Sequence, residues 1–277
     1  METLSSVDTE SATLFERYLT GVGAPVIPRT TCPFDPGYDP LTVESHLWQS
    51  GHLMATLKLS MACWILGRAD SARRKVDAAG RAGVPVVAGG GPFEIAAARG
   101  VLPAYLNLCA EVGFTRVECA EGFTRTRLAP AEIVAAAHER GMEVEFELGR
   151  KHAGRFTPRV TDALLAAGER WLSAGAVRLV LEGRESAHNV GLFIEPGRFD
   201  VVQSERFVAT FGLDALLFEA PDKASQFALI DHYGPGVHLG NVRLEEVLRV
   251  EVYRRGLHAD TFRVPTPRPR IGTGQRI

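Results

Sequence analysis

The chain alternates short apolar, β-branched runs with longer stretches of Ala, Leu, Arg and Glu at helical spacing, and this alternation restricts its fold more than any other feature. It is the pattern of strand–helix–strand units that build a parallel sheet. Eight runs read as strands: Pro25–Pro28 with an open continuation to Phe34, Met54–Leu59, Val84–Ala88, Arg116–Cys119, Glu143–Leu148, Ala176–Leu181, Ala215–Phe218 and Gly236–Leu239. Helical patterns over Ser71–Ala82, Leu102–Val112, Pro130–Arg140, Val160–Ala174, Gln203–Phe211 and Lys223–Tyr233 separate most of them. Gly83, Gly113 and Gly141 close three of these helices, where a left-handed residue is wanted. Eight strands at a spacing of about 30 residues predict a single (β/α)8 TIM barrel. A doubly wound open sheet is the competing arrangement. Residues 1–22 read as an N-terminal leader with one helix, Ala12–Leu19. Residues 23–262 form the barrel, and 263–277, rich in Pro, Arg and Gly, an extended tail ordered against a partner subunit of a homo-oligomer.

Composition narrows the function classes. A net charge of −2 gives no general attraction to nucleic acid or to an anionic membrane surface. No run approaches the roughly 18 apolar residues of a membrane span, and the polar, acidic segment Met1–Glu10 is unlike a secretory signal. Cys32, Cys63, Cys109 and Cys119 have neither CxxC pairing nor metal-ligand spacing, so reduced thiols in a cytoplasm are expected. Of 31 basic residues only four are lysine: Lys58, Lys75, Lys151 and Lys223. Where arginine serves the surface, a retained lysine suggests a need for a compact or titratable amine.

The residues that follow the strands point to chemistry. The third strand runs into Gly89-Gly90-Gly91 and Glu94. The fourth carries Glu118 and Glu121, and the fifth Glu147, Arg150 and Lys151. The sixth carries Glu182, Arg184 and Glu185, the seventh Glu219, Asp222 and Lys223, the eighth His238 and Asn241. Lys58 lies near the end of the second. In a barrel these groups converge on the C-terminal mouth. Lys75 falls inside a helix pattern and is expected on the surface; Trp48, Trp64 and Trp171 are expected in packing, and Glu145 in a pair with an arginine. Clustered carboxylates need a cation or protons to coexist, and an oxygen-only donor set suits Mg2+. Interleaved Arg and Lys suit a small substrate bearing phosphate and carboxylate, and the glycine turn before a helix offers N–H groups to an anion.

Several segments resemble the phosphosulfolactate synthase family: GGGPFEIA (89–96), GFTRVE (113–118), ELGRK (147–151), LEGRESAHNVGLF (181–193), FEAPDKASQ (218–226), LGNV (239–242) and RRGLHADTF (254–262). The resemblance implies a Mg2+-dependent barrel lyase of coenzyme M biosynthesis. Such an enzyme adds sulfite to C3 of phosphoenolpyruvate, develops an aci-form at the substrate carboxylate and protonates C2 from a lysine. It places Lys151 in the protonating role, to be tuned toward neutral pH, with Glu182 and Lys58 as further catalytic candidates. Glu118, Glu147, Glu182 and Glu219 are the metal candidates. Arg150, Arg184, Lys223, Gly90, Gly91, Asn241 and His238 are the substrate-binding candidates. The chain departs from the family where Asp35-Pro36-Gly37 replaces Asp-Lys-Gly, where Lys58-Leu59-Ser60-Met61-Ala62-Cys63 replaces Lys-Phe-Gly-Trp-Gly-Thr, and where Glu121-Gly122 replaces Asp-Gly. These departures cluster on strands 1, 2 and 4. They imply a kept phosphoenolpyruvate half and a remodelled nucleophile half, open to a larger or less charged nucleophile. A non-catalytic, stress-associated homologue is the remaining reading.

Overall fold

The computed structural model describes residues 14–262. The strands are β1 (Thr31–Asp35), β2 (Leu57–Leu59), β3 (Val86–Ala88), β4 (Arg116–Ala120), β5 (Glu143–Leu148), β6 (Arg178–Leu181), β7 (Phe193–Glu195), β8 (Arg198–Phe199), β9 (Leu216–Glu219) and β10 (Leu239–Arg243). Eight of them close a parallel barrel in the order β1-β10-β9-β6-β5-β4-β3-β2, and β7 with β8 forms a separate antiparallel hairpin. The helices that bear on the site are α1 (Pro40–Ser50), α2 (Cys63–Leu66), α3 (Ala69–Arg81), α4 (Gly90–Ala98), α5 (Leu102–Val112), α6 (Pro130–His138), α7 (Pro158–Ser173), α8 (Val201–Phe211) and α9 (Lys223–Tyr233). Residues 14–21 are helical; the first residues expected of the leader helix, and the whole C-terminal tail, lie outside the described residues.

Side-chain alternation sorts the barrel strands into two faces. Val117 and Cys119 of β4, Val144, Phe146 and Leu148 of β5, Leu179 and Leu181 of β6, and Leu216 and Phe218 of β9 join the large apolar core between sheet and helices. Their neighbours point into the barrel. There Cys32, Val180 and Leu217 form a small apolar plug. Glu118, Glu147 and Glu219 occupy positions nearer the strands' C-terminal ends. Several helices start at residues suited to it. Asp39, Thr157, Asp200 and Asp222 each accept a backbone N–H of the first turn, and proline follows Asp39 and Thr157.

Two strand registers differ from expectation. Pro25–Pro28 is not a strand: two prolines withhold the N–H donors a barrel strand needs, and Val26 is 99% exposed. The first strand lies in the continuation left open toward Phe34, as Thr31–Asp35. It tolerates Pro33 because its pairing with β10 shifts register there, from Thr31↔Leu239 to Pro33↔Val242. The extra residue falls on β10, which begins at Leu239 and runs to Arg243 rather than ending at Leu239. Among residues expected to pack, Trp64 and Trp171 are buried but Trp48 is 89% exposed. Lys75, expected on the surface, is buried on the inner face of α3 and binds Asp35 Oδ2 at 2.6 Å. A buried ammonium needs such a partner. All four cysteines are free.

Candidate active site

The C-terminal mouth of the barrel opens on a cavity of about 910 Å³. Lys58, Glu118, Glu147, Lys151, Glu182, Arg184, Glu219, Gly90, Gly91 and Asn241 all line it, so most of the expected groups share one space. Lys58 projects inward from β2, its Nζ 3.1 Å from Glu118 and 3.0 Å from Glu219. Lys151 lies beyond β5. The chain turns at Gly149, with φ of 135°, a value open to glycine, and returns Lys151 over the mouth. Its Nζ is 2.8 Å from Glu147 and 2.9 Å from Glu182. All four glutamates are buried.

Backbone donors fix the carboxylates. Glu118 accepts from the N–H of Gly90 at 2.9 Å, so this N–H of the glycine turn, expected to face a bound anion, serves the protein's own carboxylate. Glu219 accepts from the N–H of Gly183 and Arg184, and Glu182 from that of Arg184. Arg184 holds a left-handed φ of 55°, and the sharp turn brings its N–H to both acids. Its guanidinium donates to the Lys151 carbonyl at 2.8 Å, which leaves it at the rim. Asn241 is the bulge residue of β10, with φ of 53°. Its amide donates to the Arg184 carbonyl, while its buried Oδ1 has no partner among the described residues.

The electrostatics follow from burial and proximity. Burial pushes Glu118 above the usual carboxylate range against the pull of Lys58. Burial and then the adjacent Glu182 push Glu147 well above it. Burial acts the same way on Glu219, but Lys58, Lys151 and the Gly183 N–H outweigh it and hold Glu219 low. Desolvation would lower both lysines, yet their carboxylate partners raise them. Lys151 is therefore held charged, not tuned toward neutrality as expected, because two carboxylates share its ammonium.

Three expected substrate-binding residues lie elsewhere. Arg150 sits on the outside of the Gly149 turn and is exposed. Lys223 is the first residue of α9. It points outward to Asp260 at 3.2 Å and over the Phe227 ring, while Asp222 before it caps the helix. His238 precedes β10 and so belongs to the opposite end of the barrel. Burial first, then Arg178 and Arg254, lower its pKa to about 4. Glu145 also lies deeper in the barrel, paired with Arg116 at 3.3 Å as expected. Ser60 and Met61 of the altered strand 2 segment line the cavity, and so do residues not singled out from sequence as lining: Phe34 on the same side, His152, His188 and Asn189 on the other. His188 and Asn189 belong to the conspicuous run after the sixth strand. Left-handed turns at Arg184, Ala187 and Asn189 bring this run over the cavity, and no local pattern announced them.

One oxygen from each of Glu118, Glu147 and Glu219 lies within 4.8 Å of the others, a buried all-oxygen set. The donors suit a hard divalent ion. Four carboxylates against two ammonium groups leave two negative charges when all are ionised, which is the charge such an ion would balance.

The sequence profile of (2R)-phospho-3-sulfolactate synthase matches residues 25–260. The chain belongs to the phosphosulfolactate synthase family. Within that family it is 30% identical to the phosphosulfolactate synthase of Methanocaldococcus jannaschii, over 84% of this chain and 93% of the relative. It is 28% identical to that of Methanothermobacter thermautotrophicus, over 84% and 90%, and 27% identical to that of Bacillus subtilis, over 63% and 69%. Solved structures share the fold at low identity. A putative fructose-1,6-biphosphate aldolase from Coccidioides immitis aligns with a TM-score of 0.55 at 13% identity, over 89% of this chain and 96% of that one. Deoxyribose phosphate aldolase from Aeropyrum pernix aligns with 0.52 at 16%, over 81% and 88%. Of the altered segments of strands 1 and 2, Met61 lines the cavity, where Phe34 also lies, and Cys63 donates to the Pro36 carbonyl.

Proposed function

We propose that this protein is a lyase that adds sulfite to C3 of phosphoenolpyruvate, the reaction for which its relatives are named. The observation that carries the reading is the buried ring of Glu118, Glu147, Glu182 and Glu219 threaded by Lys58 and Lys151 at one mouth.

As the C3–S bond forms, the C2–C3 π pair moves onto C2 and the carboxylate, giving an aci-form. The pair then returns to C2 and takes a proton. Lys151 supplies that proton from Nζ, which Glu147 and Glu182 keep protonated until the carbanion presents itself. Arg184 and the rim residues His152 and His188 orient phosphate and carboxylate. Lys58 holds Glu118 and Glu219 in place. Mg2+ bound by Glu118, Glu147 and Glu219, with Glu182 beside them, would supply electrostatic stabilisation for charge building on the substrate carboxylate.

A second reading is favoured by Pro36, which stands where the family has a lysine, and by the apolar Phe34 and Met61 on that side: a larger, less charged nucleophile in place of sulfite. Purified protein is incubated with phosphoenolpyruvate, Mg2+ and sulfite and followed by ³¹P NMR. Formation of phosphosulfolactate is expected. If phosphoenolpyruvate stays intact but still raises the melting temperature, the second reading replaces the first. If neither phosphoenolpyruvate nor Mg2+ moves the melting temperature, both fall and a non-catalytic role takes their place.

A further inference from the structure

Glu94 lies outside the ring described above. It sits in α4 and is fully buried. Its Oε2 accepts three hydrogen bonds from the loop after β4: from the N–H of Phe123 at 2.9 Å, the N–H of Thr124 at 2.8 Å and the hydroxyl of Thr124 at 3.1 Å. The residue before these, Gly122, accepts the backbone N–H of Lys151 through its carbonyl at 3.0 Å. Gly122 is also wedged between the two side chains. A methyl group on its Cα would lie 2.9 Å from Lys151 Cγ and 3.1 Å from Glu94 Oε1. Lys151 itself stands in a turn, not on a strand. A side chain on a turn is aimed only if something packed against it is itself fixed.

We infer that Glu94 is a positioning residue for Lys151, acting through the strap Gly122–Thr124. The carboxylate ties the strap to α4. The strap carries the Lys151 backbone on one carbonyl and presses on its stem, and Nζ is thereby directed between Glu147 and Glu182. The small residue at position 122 is required because the strap, the lysine stem and the carboxylate occupy one layer.

The inference rests on Lys151 being the proton donor, and two readouts separate the claims. In Glu94→Ala, hydrogen exchange is expected to accelerate at the amides of Phe123, Thr124 and Lys151 and to stay native across the barrel strands. With phosphoenolpyruvate and sulfite, kcat is expected to fall roughly 10- to 100-fold with KM within about two-fold, the mark of a misplaced reacting group. Glu94→Gln, whose amide oxygen still accepts, is expected to recover most of kcat. Gly122→Ala keeps the Glu94 carboxylate but crowds both it and the lysine stem, and it is expected to lose kcat in the same way; it tests the packing of this layer should Glu94→Ala not fold. If wild-type protein does not turn over these substrates, the proposed reaction fails while the exchange measurement still tests the strap. Unchanged exchange at the Lys151 amide, or acceleration spread over the whole barrel, overturns the inference.

Discussion

Two lysines that look alike in sequence have opposite fates. Lys151 and Lys223 each follow a strand with Phe-Glu at its end, yet Lys151 is drawn between two buried glutamates and Lys223 faces solvent beside Asp260. The difference lies in what precedes each, Gly149 two positions before Lys151 and Asp222 directly before Lys223. Gly149 permits a backward turn, whereas Asp222 caps a helix and commits Lys223 to its outer face. Lys151→Ala is expected to abolish turnover, by about 100-fold or more as for loss of a general acid, while phosphoenolpyruvate still binds by calorimetry. Lys223→Ala is expected to leave kcat and KM within about two-fold and to change stability by less than about 1 kcal/mol, as for an exposed pair. Steady-state kinetics on both variants checks the contrast.

At the scale of elements, the site depends on where strands stop and helices begin. The bulge opposite Pro33 turns Asn241 into the cavity, and the left-handed turn at Arg184 supplies N–H groups to two acids at once. Helix starts contribute stability separately from chemistry. Asp222 accepts from the N–H and hydroxyl of Ser225. Asp222→Ala is expected to cost about 1 kcal/mol of folding stability, the usual loss for an N-terminal cap, with kcat unchanged; urea denaturation alongside the kinetic assay reads both. Much of this level was legible. Leu102–Val112 and Lys223–Tyr233 were bounded correctly by periodicity, the first also by Gly113. The hairpin β7–β8 was not, because two and three residues carry too little periodicity to register.

The two ends of the barrel hold different clusters of charge, and the far-end arginines have acidic partners in Glu145 and Glu251. The mouth gathers four carboxylates with two ammonium groups, and the far end holds Arg178, Arg254 and a neutral His238. Mg2+ is expected to raise the melting temperature of the wild-type protein, and the rise is expected to shrink in Glu219→Gln, read by thermal denaturation with and without the ion. At the far end, His238 has a folded-state pKa of about 4 against an ordinary 6.5. The unfolded chain then binds the proton first as pH falls. The stability His238 contributes is present above 6.5 and is lost progressively as pH drops toward 4. His238→Gln is expected to flatten the stability–pH curve across that window; an unchanged slope contradicts it.

The strand–helix alternation was enough to establish the barrel and which end would carry chemistry, because period-2 and period-3.6 burial patterns are local and a parallel barrel places every strand end at one rim. The same logic put Glu118, Glu147 and Glu219 in one cavity, since they are inward positions near the same ends of β4, β5 and β9. Tertiary structure alone decided the rest. Lys75 reads as a surface helix residue until Asp35 is brought beside it from 40 positions away. Glu94 reads as one more strand-end carboxylate of the mouth until the loop after β4 folds onto it. His188 enters the cavity through left-handed turns whose conformations no neighbouring residue dictates. A buried charge is stable only where the fold delivers its partner, and such partners are distant in sequence, so local pattern cannot name them.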